Sequence, residues 1–239
     1  AIPEGLPAVI TISLALGVKR MIKHNVLVRN LPSVETLGSV SVICTDKTGT
    51  LTHNQMTVRK LWANDTLYDV SGSGYTAEGQ ITVNNKKANL QEVEVLLKSG
   101  VYCNNSKFNY VGNLKQAIGD PTEAALLISA KKAGIENLTL KRIDEVPFSS
   151  ERKMMTTIHE QKGKKVSFSK GAVEVILEKC DRILINGKIL RLDRAAKNKI
   201  YAENESLAQE ALRVLAFASN DNITTKENSE TKLIFLGLQ

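Results

Sequence analysis

Residues 43–52 read ICTDKTGTLT, and the acid in this stretch is the first candidate for chemistry. Asp46 follows an apolar run (Val40, Val42, Ile43) and precedes a lysine, two threonines and a glycine. A carboxylate at the end of a buried strand is costly unless something pairs with it. At such a place it can attack phosphorus and form an acyl phosphate. Phosphoryl transfer asks for little more than donors and a metal that hold the phosphoryl oxygens. Lys47 supplies charge, Thr48 and Thr50 supply hydroxyls, and Gly49 lets the backbone turn closely. A strand-to-turn cap accounts for the same Asp without chemistry. A second acid, Glu4, lies in the apolar run AIPEGLPAVITISLALGV, between Pro3 and Pro7. The prolines break a helix around it and free backbone carbonyls, which is tolerated at membrane depth where the backbone lines an ion site. A carboxylate there is functional by default. The plainer reading is an acid near a helix start.

The chain has 239 residues, 42% of them hydrophobic, which is enough for one large domain or two smaller ones with a sizeable core. Formal charge is +7, compatible with nucleic acid, a membrane surface or an anionic ligand. Apart from KRMIKHN at 19–25, with Arg29 beyond it, no basic tract interleaved with aromatics stands out, so no nucleic-acid partner is expected. Cys44, Cys103 and Cys180 are scattered and odd in number, which points to reduced, buried thiols. His24, His53 and His159 are isolated, and no zinc spacing occurs. Neither a GxxxxGK[ST] loop nor a strand-anchored GxGxxG is present, so any nucleotide is held another way.

These residues must be positioned by elements that the pattern outlines. The apolar opening, slightly short for a full span, is expected to be the second half of a membrane helix. The basic cluster after it places the exit on the cytoplasmic side. A short helix follows at NLPSVETLG, then a buried strand at SVSVIC leading to Asp46. A strand is expected at 56–62, and a hairpin turn in the glycine-rich GSGYTAEG. A helix over 89–103 starts with the capping-box-like pair Asn89 and Glu92. In GDPTEAALLISAKKAG, Asp120 suits the N-cap, Pro121 the first turn, Glu123 the third position and Gly134 the stop. Three strands follow in IDEVPF, KMMTTIHE and KKVSFSK, the last two joined through Gly163, then helices near 172–180 and 193–212 and strands RVLAFAS and KLIFLGL. Strands and helices mixed with little βαβ alternation predict an α+β unit with an antiparallel sheet and flanking helices.

The string DKTGTLT resembles the phosphorylation motif of the P-type cation-transporting ATPases, and PEGLPAVIT resembles the fourth membrane helix of their calcium-pump type. The resemblance runs the length of the chain. It implies that Asp46 takes the γ-phosphate of ATP as a 4-aspartylphosphate, assisted by Lys47 and Thr48, with Mg²⁺ held partly by Asp46 and the Thr48 carbonyl. Phosphatases of the related haloacid dehalogenase fold carry a second aspartate where Thr48 stands, and its loss agrees with a longer-lived phosphoenzyme. By the same likeness Glu4 is a ligand of the transported cation, with the Ile2 carbonyl as helper. Proton pumps of the superfamily lack that acid, which favours Ca²⁺. GDPTEAAL is similar to the acidic motif that puts Glu123 near the adenine amino group, although Glu at this helix position needs no ligand. PFSSERKMM resembles the segment whose Phe stacks on adenine and whose Lys lies by the phosphates, here Phe148 and Lys153. FSKGAVEVIL gives Lys170 at the base of the adenine pocket with Gly171 permitting close approach, and LRVLAFA gives Arg213 toward the phosphates. Ser150 departs from the sarcoplasmic-reticulum type, which has arginine there, and Arg152 is the candidate replacement.

The resemblance therefore implies a partial membrane helix and stalk over 1–24 and the first part of a haloacid-dehalogenase-like α/β phosphorylation domain over 25–56. An α+β nucleotide-binding domain follows over 57–239. The strings TGES, TGD and GDGVND of a complete pump do not occur. The expectation is a segment of an integral membrane pump, mostly on its cytoplasmic side, that binds Mg-ATP but cannot pump by itself. Its partners are the transported cation, the lipid membrane through further helices, and the rest of the pump chain. The alternative is a soluble ATP-binding or regulatory module that forms no phosphoenzyme. A free phosphatase is opposed by Thr48 and Glu4.

Overall fold

The computed structural model describes residues 5–52, 55–111, 114–135 and 138–239, and for residues 48, 110–111 and 114–116 the backbone alone. Ile2, Glu4 and His53 lie outside the described residues, as does the Thr48 side chain. The chain divides into two compact units, Ala1–His53 and Asn54–Gln239.

In the first unit, helix α1 (Leu6–Lys23) starts with Pro7 in its first turn, where the missing N–H costs nothing, and ends with Arg20 and Lys23 on its carbonyl end. It has no buried residue. Among the described residues no helix is long and apolar enough to cross a membrane. Helix α2 (Pro32–Gly38) forms where expected. Its Val34 lies against Gly17 of α1, where a Cβ would stand 3.3 Å from Val34 Cγ1. The expected buried strand before Asp46 is not formed: residues 39–46 are irregular and exposed, with Val42 at 74% and Ile43 at 80%. An apolar run becomes a strand by exchanging hydrogen bonds with a neighbour, and no other strand exists among the described residues of this unit. Cys44, expected to be buried, is accordingly exposed, whereas Cys103 and Cys180 are buried as expected.

The second unit opens with the antiparallel strands β1 (Lys60–Ala63), β2 (Thr66–Val70), β3 (Ile81–Val83) and β4 (Lys86–Lys87). A short turn at Leu90–Glu92 leads into α3 (Glu94–Tyr102), with Asn89 Oδ1 accepting from the Gln91 N–H. The other half of the expected capping box is absent, because the Glu92 carboxylate accepts from the buried Tyr68 hydroxyl instead, at 2.6 Å. A separate two-stranded hairpin, β5 (Lys107–Val111) and β6 (Leu114–Ile118), precedes α4 (Pro121–Lys132). Then come β7 (Lys141–Ser149), β8 (Met154–Gln161) and β9 (Lys164–Gly171). Lys162 and Gly163, both at positive φ, close the two-residue turn between β8 and β9. Helix α5 (Val173–Lys179), β10 (Cys180–Ile185), β11 (Lys188–Arg191), α6 (Arg194–Gln209), β12 (Ala216–Ile223) and β13 (Leu233–Leu238) complete the order.

The main sheet runs β4-β3-β2-β1-β13-β12-β9-β8-β7 and is antiparallel along this path, as predicted, with β10 joining β13 in parallel and β11 pairing with β10. Side chains alternate across β12 and β13. Phe217, Ile234 and Leu236 face a core with Leu96 and Leu97 of α3 and Ala125 and Leu126 of α4. Ala216, Ala218, Leu233 and Phe235 face one with Ile176 and Leu177 of α5 and Ile200 and Leu207 of α6. Both faces of the central strands are thus covered, and each buried Phe contributes roughly 1.5–3 kcal/mol. Lys170 and Phe168 follow from the same alternation onto the α3–α4 face, since Lys170 pairs with Phe217 and Met155.

Candidate functional site

Lys170 is a lysine inside a sheet face, 7% exposed, and a buried ammonium requires a partner. The partner is Glu123: Lys170 Nζ lies 2.5 Å from Glu123 Oε1. Helix α4 supplies Glu123 from its first turn, and Asp120 holds that turn, its Oδ1 accepting from the Thr122 N–H at 2.7 Å. Glu123 does not fold back on the cap as a capping box would. Its other oxygen accepts from the Asn105 N–H at 2.9 Å and the Ser106 hydroxyl at 3.4 Å. Every oxygen and charge of this pair is therefore answered across three chain segments.

Two aromatic side chains with no sequence assignment lie on neighbouring segments, Phe168 on β9 and Tyr102 on α3. Tyr102, at the end of α3, stacks on Phe168 at 4.9 Å with 18° between the rings. The buried His159 ring meets their edges at 5.0 and 5.7 Å, and burial lowers its pKa. Phe168 had a legible signal, because a residue two before Lys170 on a strand shares its face. Tyr102 had none. Cys103, its Sγ donating to the Met155 carbonyl at 3.5 Å, is pushed up to about 11 by burial, so the thiol stays neutral and inert here.

The exposed candidates are built differently. Phe148 sits near the end of β7, 59% exposed, with no core to account for it. The turn after it closes with the Lys153 N–H donating to the Ser149 carbonyl at 2.8 Å, which leaves Lys153 at φ +51. The exposed Lys153 ammonium approaches Glu174 at 3.8 Å. Gly171 faces this turn so closely that a Cβ would stand 2.5 Å from the Lys153 carbonyl oxygen and 2.7 Å from Met154 Cβ. Its close approach is therefore to β8. Arg213 donates to the Thr122 hydroxyl at 3.4 Å and borders a cleft of about 170 Å³ with Met56, Leu126 and Leu212. Arg152 is not among the free cations: it reaches Glu230 at 2.5 Å and the Pro147 carbonyl at 3.2 Å.

β8–β9 pairing thus brings Lys153, Lys170 and Gly171 together, and the start of α4 adds Glu123 and, through Thr122, Arg213. The exposed Phe148 ring offers a face to a flat ligand, and Lys153 and Arg213 are accessible to an anion.

Burial works to raise the Asp120 carboxyl, but hydrogen bonds from Thr122 and the Glu123 N–H, with the Arg213 charge, hold it below its ordinary value. A depressed carboxylate stabilises the fold above its unfolded pKa, and the contribution is lost as pH falls through the folded value. Asp120→Ala is expected to cost about 1 kcal/mol at neutral pH. Urea midpoints of the two proteins should converge as the solution is acidified below the ordinary carboxylate range.

Asp46, Lys47 and Thr48 belong to the first unit. Asp46 is exposed and extended, at φ −71 and ψ 147. After it the backbone wraps into one wide turn, Lys47–Leu51, closed by the Thr52 N–H on the Lys47 carbonyl at 3.2 Å. Gly49, at φ +77, makes that turn possible, and its N–H donates to the Thr52 hydroxyl at 3.3 Å.

Residues 92–239 match the family model described as P-type ATPase, cytoplasmic domain N. The chain belongs to the P-type ATPases. Over its whole length this P-type ATPase chain is 42% identical to the cation-transporting ATPase pma1 of Synechocystis, covering 28% of that protein. It is 41% identical to a calcium-transporting ATPase of Bacillus subtilis, again covering 28%, and 38% identical to the human calcium-transporting ATPase type 2C member 1, covering 26%. The chain thus spans about a quarter of the length of these relatives.

Proposed function

We propose that this P-type ATPase chain is the part of a cation pump that binds Mg-ATP and receives its γ-phosphate, with Ca²⁺ as the transported ion. The observation that carries the nucleotide half is the buried Glu123–Lys170 pair, in a unit that also exposes Phe148, Lys153 and Arg213. Adenine stacks on Phe148 with its amino group toward Glu123, and the triphosphate runs toward Lys153 and Arg213. In the transfer, an Asp46 carboxylate oxygen attacks the γ-phosphorus, the bond to the bridging β–γ oxygen breaks, and ADP leaves with that electron pair. Lys47 and the donors of the 47–52 turn offset charge on the phosphoryl oxygens. Mg²⁺, when bound, supplies charge neutralisation there. The Asp46 carboxylate and the Thr48 carbonyl would hold that ion, hard oxygen donors of the kind Mg²⁺ takes. Thr48 offers no carboxylate to activate water, so the acyl phosphate persists to drive a conformational change. The choice of Ca²⁺ rests on the relatives' names and on Glu4 with the Ile2 carbonyl, in the sequence PEGLP.

Calorimetric titration of the chain with Mg-ATP tests this reading. Phe148→Ala, at an exposed position, should leave stability within about 0.5 kcal/mol. It should weaken ATP binding by the roughly 1–3 kcal/mol of one stacked base. Undiminished binding by the variant, or none by the folded wild type, would remove the pocket assignment.

A further inference from the structure

Arg152 lies four residues after Phe148 and directly before Lys153, so its engagement bears on both. Its Nη2 pairs with Glu230 Oε1 at 2.5 Å, its Nη1 donates to the Pro147 carbonyl at 3.2 Å, and its own N–H donates to the Ser149 hydroxyl at 3.2 Å. Glu230 ends the short turn Glu227–Glu230 that joins β12 to β13, and its side chain is 15% exposed. That turn is fixed from below: Ser167 Oγ donates to the Ser229 carbonyl at 2.8 Å, and Asn220 Nδ2 donates to the Asn228 and Thr231 carbonyls at 3.0 Å each. One guanidinium therefore spans the neck of the turn that presents Phe148 and Lys153 and ties it to a braced connection of the central sheet. The planar fork suits this double engagement, and lysine cannot reproduce it.

Resting on the nucleotide reading above, we propose that Arg152 and Glu230 are positioning residues. The pair holds the 147–153 turn so that Phe148 and Lys153 meet base and phosphate together, and Arg152 is not itself a phosphate contact. The competing role is distinguishable, because a phosphate-binding arginine affects ATP and spares adenosine, whereas a turn clasp affects both.

The test titrates Mg-ATP and adenosine into the wild-type chain, Arg152→Lys, Glu230→Gln and the charge swap Arg152→Glu with Glu230→Arg, each checked for folding by urea denaturation. Both single variants should lose affinity for adenosine about five- to tenfold, and for ATP, which also meets Lys153, by at least that factor. The swap should recover part of it. Arg152→Lys weakening ATP alone, or Glu230→Gln strengthening ATP by releasing the arginine, would overturn the clasp. Single variants that bind both ligands like the wild type would overturn it too. The wild type decides the underlying reading separately: a folded chain that binds neither ligand ends both proposals.

Discussion

Lys170→Met lowers the stability of the second unit by about 3–5 kcal/mol, the cost of leaving one member of a buried ion pair unanswered. The expectation follows from geometry. Lys170 is 7% exposed on a strand packed between β8 and β12. Without the ammonium, Glu123 keeps only the Asn105 N–H and the Ser106 hydroxyl. Urea denaturation at neutral pH should show a lower midpoint at unchanged slope. Adding Glu123→Gln should return the larger part of the loss, because the carboxamide oxygen still accepts from Asn105 and no charge is left behind. Additive losses in the double variant would mean that the two residues do not act as a pair. Because Glu123 and Lys170 are here a structural unit first, weaker ATP binding by Lys170→Met must be read on protein shown to be folded. Phe148→Ala, at an exposed position, is the cleaner probe of the ligand.

The second large effect belongs to the other unit. Asp46→Asn in the full-length protein is expected to abolish the acid-stable, hydroxylamine-sensitive label formed from γ-labelled ATP. A carboxamide oxygen is no nucleophile toward phosphorus, so the acyl phosphate cannot form. Asp46 is exposed, so stability should stay within about 0.5 kcal/mol, and ATP binding by the second unit should be unchanged. A label surviving this substitution would place the nucleophile elsewhere. Loss of label together with loss of ATP binding would show that the substitution acts through the fold.

Much of the second unit was legible because its elements carry local signals. Asp120, Pro121 and Gly134 bound α4 as their chemistry requires, and the apolar runs of β8, β9, β12 and β13 announced strands. Three hairpin turns carry a local signal beyond the expected elements: Asn64-Asp65, Asn84-Asn85 and Asn186-Gly187 each take positive φ at both turn residues, which Asn, Asp and Gly tolerate best. The parallel contact of β10 with β13 has no local signal, since it depends on which distant strand lies alongside. The same is true of the site. Glu123 could be placed at a helix start, but nothing nearby in sequence says that its carboxylate turns away from the cap toward a lysine 47 residues on. The run before Asp46 misled in the opposite direction. Its β-branched residues state a preference that only a neighbouring strand can realise.

The last strand of the second unit in sequence, β13, is central in space: it pairs with β1 on one side and β12 on the other, and β10 runs along it. On the ribosome, β1 and β2 emerge early and must wait for residues 233–238 before the two halves of the sheet can join. The helices on both faces have no continuous floor until then. The unit therefore cannot complete its sheet progressively from its N-terminal end, and its apolar faces stay uncovered until residues 233–238 are available.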